Sequence, residues 1–81
     1  QNFPNPFKEM TTIPFYLTHS DYINFEIYNS FGQVVYKENG FFTEGEHTLK
    51  IDSIVFPTTG IYTIKLFTSN FLASKQLIFL N

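Results

Sequence analysis

The chain has 81 residues, a net charge of −2 and no cysteine. A chain of this length forms one domain at most and buries only about 60–65% of the surface that it exposes when unfolded. Its cations are five lysines spread along the sequence, which excludes the clustered basic face that nucleic-acid binding requires. No apolar stretch approaches the roughly 20 residues of a membrane helix. With eleven Phe and five Tyr, aromatic rings are the predicted core filler.

Period-2 alternation of apolar and polar residues recurs along the chain, whereas no long helical period appears. The segments that predict strands cover residues 11–17, 22–29, 33–38, 46–52, 61–68 and 71–80. About seven short strands at a spacing of roughly 8–12 residues are typical of an antiparallel immunoglobulin-like β-sandwich. We therefore predict an all-β sandwich of this type, with an oligonucleotide-binding barrel as the structural alternative.

The segments that connect these strands also predict local structure. Pro14 indicates that the first strand is an edge strand or contains a bulge, and Gly32 supplies the positive φ of the turn NSFG. A turn signal stands at each end of 39–45. In the longer connection before the fifth strand, Ile54 and Phe56 are predicted to be buried.

The chain opens with QNFPNPF, which holds two prolines and two phenylalanines. Pro4 and Pro6 each fix φ near about −65° and favour extended backbone at the preceding residue. The Asn5 side chain is predicted to bond to the local backbone as an Asx-turn, and Phe3 and Phe7 are predicted to be buried. The segment is therefore predicted to anchor the N-terminal end and to shield a sheet edge from pairing.

The structural roles of three further residues are predicted from their neighbours in the sequence. Gly60, directly before a strand, suggests positive φ or a close backbone approach. Tyr62 shares a strand face with Ile64, which predicts a buried ring with its hydroxyl bonded to backbone, as in a tyrosine corner. His47 alternates with Leu49 and is predicted to be a histidine at the edge of the core, bonded to backbone.

The residue pattern does not predict catalysis. His19, Ser20 and Asp21 are neighbours on a turn, and adjacency of this kind does not produce the geometry of a catalytic triad. Glu44 and Glu46 flank a turn without the apolar pocket that paired catalytic carboxylates use. Because no phosphate-binding loop or metal-ligand cluster occurs either, we predict a protein that is not an enzyme and has no cofactor.

Several short motifs follow one another along nearly the whole chain. They are PNPF at 4–7, NSFGQ at 29–33, GEH at 45–47, GIY at 60–62 and the end ASKQLIFLN at 73–81. This ordered set resembles the type A C-terminal sorting domain of cargo proteins of the type IX (Por) secretion system of Bacteroidetes. The resemblance implies a C-terminal sorting signal that crosses the periplasm and is recognised by the outer-membrane translocon and its shuttle proteins. It also implies removal by a sortase-like surface protease, which joins the secreted cargo to lipopolysaccharide at the cell surface.

The resemblance implies that residues 1–81 form one sorting domain, with the cargo domain upstream. It assigns recognition to Pro4, Asn5, Pro6, Phe7, Gly60, Tyr62, Lys75, Leu77 and Phe79. The last strand is the best candidate, because a terminal strand can pair with the edge of a partner. The chain departs from the family where two adjacent lysines are common, since Lys75 is followed by Gln76, and it ends on Asn81 instead of a basic residue.

Two other functions stay open at this point. β-Sandwiches often bind sugars on exposed aromatic rings, and Tyr22, Tyr28 and Tyr36 could line one outward face of a carbohydrate-binding module. The chain could also be a passive accessory domain of a secreted enzyme, without a receptor.

Overall fold

The computed structural model describes residues 5–80, which form six strands and one short 3-10 helix. The strands are β1 (Met10–Leu17), β2 (Asp21–Tyr28), β3 (Val34–Phe42), β4 (Gly45–Asp52), β5 (Gly60–Phe67) and β6 (Leu72–Phe79), and the 3-10 helix spans Ser53–Val55. One sheet has the order β1–β4 and the other β3–β2–β5–β6, with every neighbouring pair antiparallel. The predicted all-β sandwich is confirmed, with six strands in place of about seven. Its two separate sheets exclude the closed barrel.

The core lies between the two sheets and is built from alternate residues of their strands, together with Phe7 before β1 and Phe56 before β5. It consists of Phe7, Ile13, Leu17, Ile23, Phe25, Ile27, Ile51, Phe56, Tyr62, Ile64, Leu66, Leu77 and Phe79. The central strands β2 and β5 contribute every second residue because successive side chains on a strand point to opposite faces. The period-2 pattern of these two strands therefore predicted the inward faces correctly.

Strand β3 is longer than the predicted segment 33–38. It continues through Gly40 to Phe42, and Gly40 pairs with Ile23 of β2. A Cβ on Gly40 would lie 3.3 Å from the Phe42 ring, and that ring packs against Phe25 at a centroid distance of 5.7 Å. Pairing with the long strand β2 and burial of the Phe42 ring outweigh the turn preference of the Asn-Gly pair.

The remaining turn predictions have mixed outcomes. Gly32 has a φ of 80°, as predicted, and Gly45 has a φ of 119° at the second turn signal of 39–45. The first of those two signals lies inside β3, so its predicted turn is wrong. Pro14 lies in β1, whose uninterrupted register with β4 makes it an edge strand without a bulge.

The connection after β4 separates two residues that were both predicted to be buried. Phe56 is buried, whereas Ile54 is 88% exposed, so the prediction for Ile54 is wrong. The Asp52 side chain accepts a hydrogen bond from the Ile54 N–H at 3.0 Å and thereby caps the 3-10 helix. Because a 3-10 helix has three residues per turn, it directs Phe56 inward and Ile54 outward.

Candidate functional site

The outer edge of β6 is where the two ends of the described chain meet. Asn5–Phe7, whose Asn5–Pro6 peptide bond is cis, lies on this edge in a parallel bridge between Phe7 and Phe79. The Phe7 N–H donates to the Ile78 carbonyl at 2.9 Å, and the Leu80 N–H donates to the Phe7 carbonyl at 2.9 Å. We call Asn5–Phe7 together with the outer edge of β6 the terminal clasp.

The side-chain amide of Asn5 completes the pairing in the terminal clasp. Its Oδ1 accepts from the Ile78 N–H at 2.9 Å, and its Nδ2 donates to the Gln76 carbonyl at 3.4 Å. Proline has no N–H, so Pro6 cannot donate to this ladder, and the Asn5 amide acts in place of a peptide group. The predicted local Asx-turn is therefore wrong, because the edge of β6 offers peptide groups that other strands leave unpaired.

The Phe7 ring fills a slot in a buried aromatic cluster. It is 2% exposed, and its centroid lies 5.1 Å from that of Phe56, edge-on, and 5.4 Å from that of Phe79. Phe56 also contacts Phe79 at 5.3 Å and Tyr62 at 4.8 Å. The predicted burial of Phe7 and shielding of a sheet edge are confirmed.

Two predicted residues of the opening segment, Phe3 and Pro4, lie outside the residues that the structure describes. Their predicted burial and stiffness stay predictions.

The GIY motif places a tyrosine corner beneath the terminal clasp. The Tyr62 hydroxyl donates to the Thr58 carbonyl at 2.6 Å and accepts from the Thr58 N–H at 3.3 Å, which confirms the prediction. Gly60 pairs with Phe79 but has no positive φ. A Cβ on it would lie 4.0 Å from the Tyr62 ring, an ordinary contact. The prediction for Gly60 is therefore wrong, because β5 begins there in ordinary extended backbone.

We expect Tyr62→Phe to lower the free energy of unfolding by about 1–2 kcal/mol, because the part-buried hydrogen bonds between its hydroxyl and the Thr58 main chain are lost. Urea unfolding followed by circular dichroism measures this change. Tyr16→Phe is the matched control, since Tyr16 is 63% exposed and its change should stay within about 0.5 kcal/mol. Equal effects of the two substitutions would contradict the structural role of the tyrosine corner.

Alternate side chains of β6 lie on opposite faces of the sheet. Leu77 and Phe79 are buried in the core, and the half-buried Lys75 lies on the same inner face. An inward-pointing lysine on an edge strand disfavours pairing between sheet edges. Because Leu77 and Phe79 are inaccessible in the folded chain, any recognition through them is indirect.

On the outer edge of β6, the stretch from Ser74 to Gln76 is not paired with another strand among residues 5–80. The Ile78 N–H bonds to Asn5 and so points away from β5. Hydrogen-bonded and non-bonded residue pairs alternate along an antiparallel ladder, so the peptide groups of Ser74 and Gln76 point outward as well. Both side chains are exposed, which makes this stretch of main chain accessible.

An apolar surface patch adjoins the terminal clasp on the outer face of the sheet. Ile61 lies directly opposite Ile78 in the ladder between β5 and β6. Phe31, which is 87% exposed, and Ile61 border the same shallow cleft of about 90 Å³. Exposed apolar patches of this kind commonly mark interaction surfaces.

The three tyrosines of the carbohydrate-binding alternative do not share a face. Tyr22 and Tyr28 lie on the outer face of β2, whereas Tyr36 pairs with Ile27 and lines a cavity of about 260 Å³ between the sheets. A register shift between Ile27 and Tyr28 sets this arrangement, because a one-residue shift moves a side chain to the opposite face. The alternative therefore loses the aromatic surface on which it depended.

Each of two tyrosines donates its hydroxyl to a glutamate on its own strand. The hydrogen bond to Glu26 raises the pKa of Tyr28, and the hydrogen bond to Glu38 raises the pKa of Tyr36. The Lys65 ammonium lies 4.7 Å from the centroid of the Tyr28 ring. These polar contacts hold the Tyr28 ring on β2 and the Tyr36 ring on β3.

His47 lies at the edge of the core, as predicted. Its Nε2 lies 2.7 Å from the Thr43 carbonyl, and its ring stacks on Phe15 at a centroid distance of 5.4 Å. Among residues 5–80, no group of three or more His, Cys, Asp or Glu side chains could hold a metal ion.

The turn residues His19, Ser20 and Asp21 do not form a catalytic relay. His19 Nε2 lies 4.0 Å from Asp21, but its Nδ1 lies 3.3 Å from the Thr18 hydroxyl. The Ser20 hydroxyl accepts a hydrogen bond from the Glu44 N–H at 3.1 Å. The serine thus contributes to the link between two loops.

The sequence identified most residues of the terminal clasp but missed the peptide groups that they bind. Asn5 bonds to the outward-facing carbonyl of Gln76 and N–H of Ile78. These are main-chain groups, so the identity of the side chain at either position does not predict the contact. The available signal was Asn5 between two prolines, since within the PNPF motif it is the only residue whose side chain can both donate and accept hydrogen bonds.

The one helix among residues 5–80 is the three-residue 3-10 helix, which is too short to span a membrane. The fold and the terminal clasp define a small immunoglobulin-like β-sandwich whose two ends are paired with each other. The chain matches the secretion system C-terminal sorting domain over residues 1–80 and belongs to that family, the sorting tails of type IX secretion. Comparisons with curated proteins and with solved structures found no match.

Membership of this family gives the chain its general function. It is a C-terminal sorting signal for type IX secretion, and the family implies interaction with the type IX machinery. The protein that carries it is secreted or lies at the outer membrane or cell surface. Sorting domains of this kind are not a catalytic family.

Proposed function

We propose that residues 1–81 act as one sorting domain, which translocon and shuttle proteins of the type IX system bind in order to deliver an upstream cargo domain. The observation that carries this proposal is the convergence of the family motifs. Phe7 of PNPF, Tyr62 of GIY and Phe79 of the last strand share one aromatic cluster with Phe56. Motifs that are far apart in sequence thus build one buried cluster in the folded chain.

The proposed recognition residues act in two ways. The full set is Pro4, Asn5, Pro6, Phe7, Gly60, Tyr62, Lys75, Leu77 and Phe79. The buried rings hold β6 and the opening segment in place, whereas Asn5 and Pro6 are exposed and lie beside the accessible main chain of β6. A partner therefore contacts the edge that the buried residues organise.

The route completes the proposal. The cargo enters the periplasm by its own signal peptide and folds there, and the translocon carries it across the outer membrane. A sortase-like surface protease then removes the sorting domain and joins the cargo to anionic lipopolysaccharide. Membership of the sorting-tail family supports this assignment.

A reporter fusion tests the proposal. Residues 1–81 attached to a fluorescent protein with a signal peptide should direct that protein to the surface or medium of a Bacteroidetes host. The same reporter without residues 1–81 is the control and should stay in the periplasm. Equal export from a strain without the translocon would overturn the proposal and favour a passive accessory domain.

We expect Gln76→Pro to reduce export to the level of the reporter without a sorting domain, while the melting temperature stays near that of the wild type. Proline removes an outward N–H that β5 does not use, and edge strands tolerate it there. Gln76→Thr is the matched control, because it changes the same side chain and keeps the N–H. Full export of the Gln76→Pro fusion would contradict recognition through main-chain pairing.

A further inference from the structure

The terminal clasp shows which kind of chain the outer edge of β6 accepts. The bound segment forms two main-chain hydrogen bonds, both through Phe7, with Ile78 and Leu80. An amide side chain bonds to the edge two residues before an aromatic ring, which fills the slot between Phe56 and Phe79. The edge therefore combines a peptide ladder, an amide contact and an aromatic slot.

The segment that occupies this site is short and lies at the margin of the sheet. Asn5 and Pro6 are exposed, and so are Lys8 and Glu9, which lead from the segment to the other sheet. Of residues 5–9, only Phe7 reaches the core. Short, exposed segments with few buried contacts open at a lower free energy than core strands do, so Asn5–Phe7 can leave β6 while the two sheets stay folded.

We propose that Asn5–Phe7 is an exchangeable edge segment, which a strand of a translocon protein displaces from β6. The incoming strand pairs with the outward peptide groups of Ser74, Gln76 and Ile78 and places an aromatic side chain in the slot that Phe7 leaves. This inference rests on the proposed function and adds the chemistry of the partner: an extended strand with an aromatic residue two positions after an amide side chain. Until the exchange, Asn5–Phe7 protects the edge from unwanted pairing.

A peptide of residues 1–9, QNFPNPFKE, labelled with a fluorophore, serves as the probe strand. Fluorescence anisotropy measures its binding to the full chain and to the Asn5→Ala variant. Asn5→Ala removes both side-chain hydrogen bonds of the attached segment and leaves β6 and the slot intact. Because the attached segment competes at high effective concentration, we expect the variant to bind the peptide on the order of tenfold more tightly than the wild type.

The control peptide carries Phe7→Ala and should not bind, because it has no ring for the slot. Equal binding of the probe to wild type and Asn5→Ala would overturn the proposal. Binding of the control peptide, or no binding of the probe to a folded Asn5→Ala chain, would overturn it as well.

Amide hydrogen exchange on the wild-type chain provides a second measurement that needs no variant. The Ile78 and Leu80 amides, which bond to the segment, should exchange on the order of tenfold faster than the Leu77 and Phe79 amides, which face β5. Equal protection of the two sets would show that the segment does not open separately. Both measurements use the chain without secretion machinery, so their failure overturns only the exchange, whereas export without a translocon overturns the proposed function.

Discussion

Phe7→Ala should lower the free energy of unfolding by about 3–5 kcal/mol, as expected for a buried phenylalanine. The ring is 2% exposed and contacts both Phe56 and Phe79. A chain of 81 residues has a total stability of only about 4–12 kcal/mol, so this one substitution removes a large part of it. Urea unfolding of the isolated chain, followed by circular dichroism, measures the loss.

Phe31→Ala is the matched control for this prediction. It removes the same ring from a position that is 87% exposed, and its effect should stay within about 0.5 kcal/mol. An unchanged melting curve for Phe7→Ala would refute the role of the opening segment as an anchor.

Deletion of residues 77–81 should leave a full-length cargo in the periplasm. The deletion removes Leu77 and Phe79 from the core, and it also removes the peptide groups of Ile78 and Leu80 that hold the opening segment. Both the fold and the terminal clasp are lost. Immunoblots of surface and periplasmic fractions measure the distribution of the cargo, and normal surface display of the truncated form would contradict the sorting role.

The truncation and the substitutions at Gln76 separate two explanations of lost export. Truncation disturbs both the core and the edge, whereas Gln76→Pro disturbs only one outward peptide group. If both block export, the main chain of the β6 edge is required for recognition. If only the truncation blocks export, β6 acts through the stability of the fold.

The features that the sequence predicted correctly depend on local patterns. Alternation along β2 and β5 identifies the inward faces because the side-chain period of a strand is two. A tyrosine shortly after a Pro-Thr-Thr-Gly turn predicts the tyrosine corner, since the Tyr62 hydroxyl bonds only four residues back, at Thr58. The PNPF motif likewise predicts a buried Phe7.

Two of the wrong predictions share a different cause, which is the influence of residues distant in sequence. The turn expected at Asn39 gives way to pairing with β2. The prediction that Tyr36 faces outward is wrong because β3 has an extra residue, Val35, opposite the Ile27–Tyr28 step of β2, and alternation within β3 alone does not reveal it. In each case a neighbouring strand decided the outcome.

The order of short motifs was sufficient to place the chain among sorting domains, and strand periodicity was sufficient for its class of fold. The bonds of Asn5 to β6, across 71 and 73 residues, emerged only from the folded chain. An asparagine amide bonds to whichever unpaired peptide groups lie within its reach. Which groups those are depends on the strand that the finished sheet leaves at its edge, and no local pattern around Asn5 contains that information.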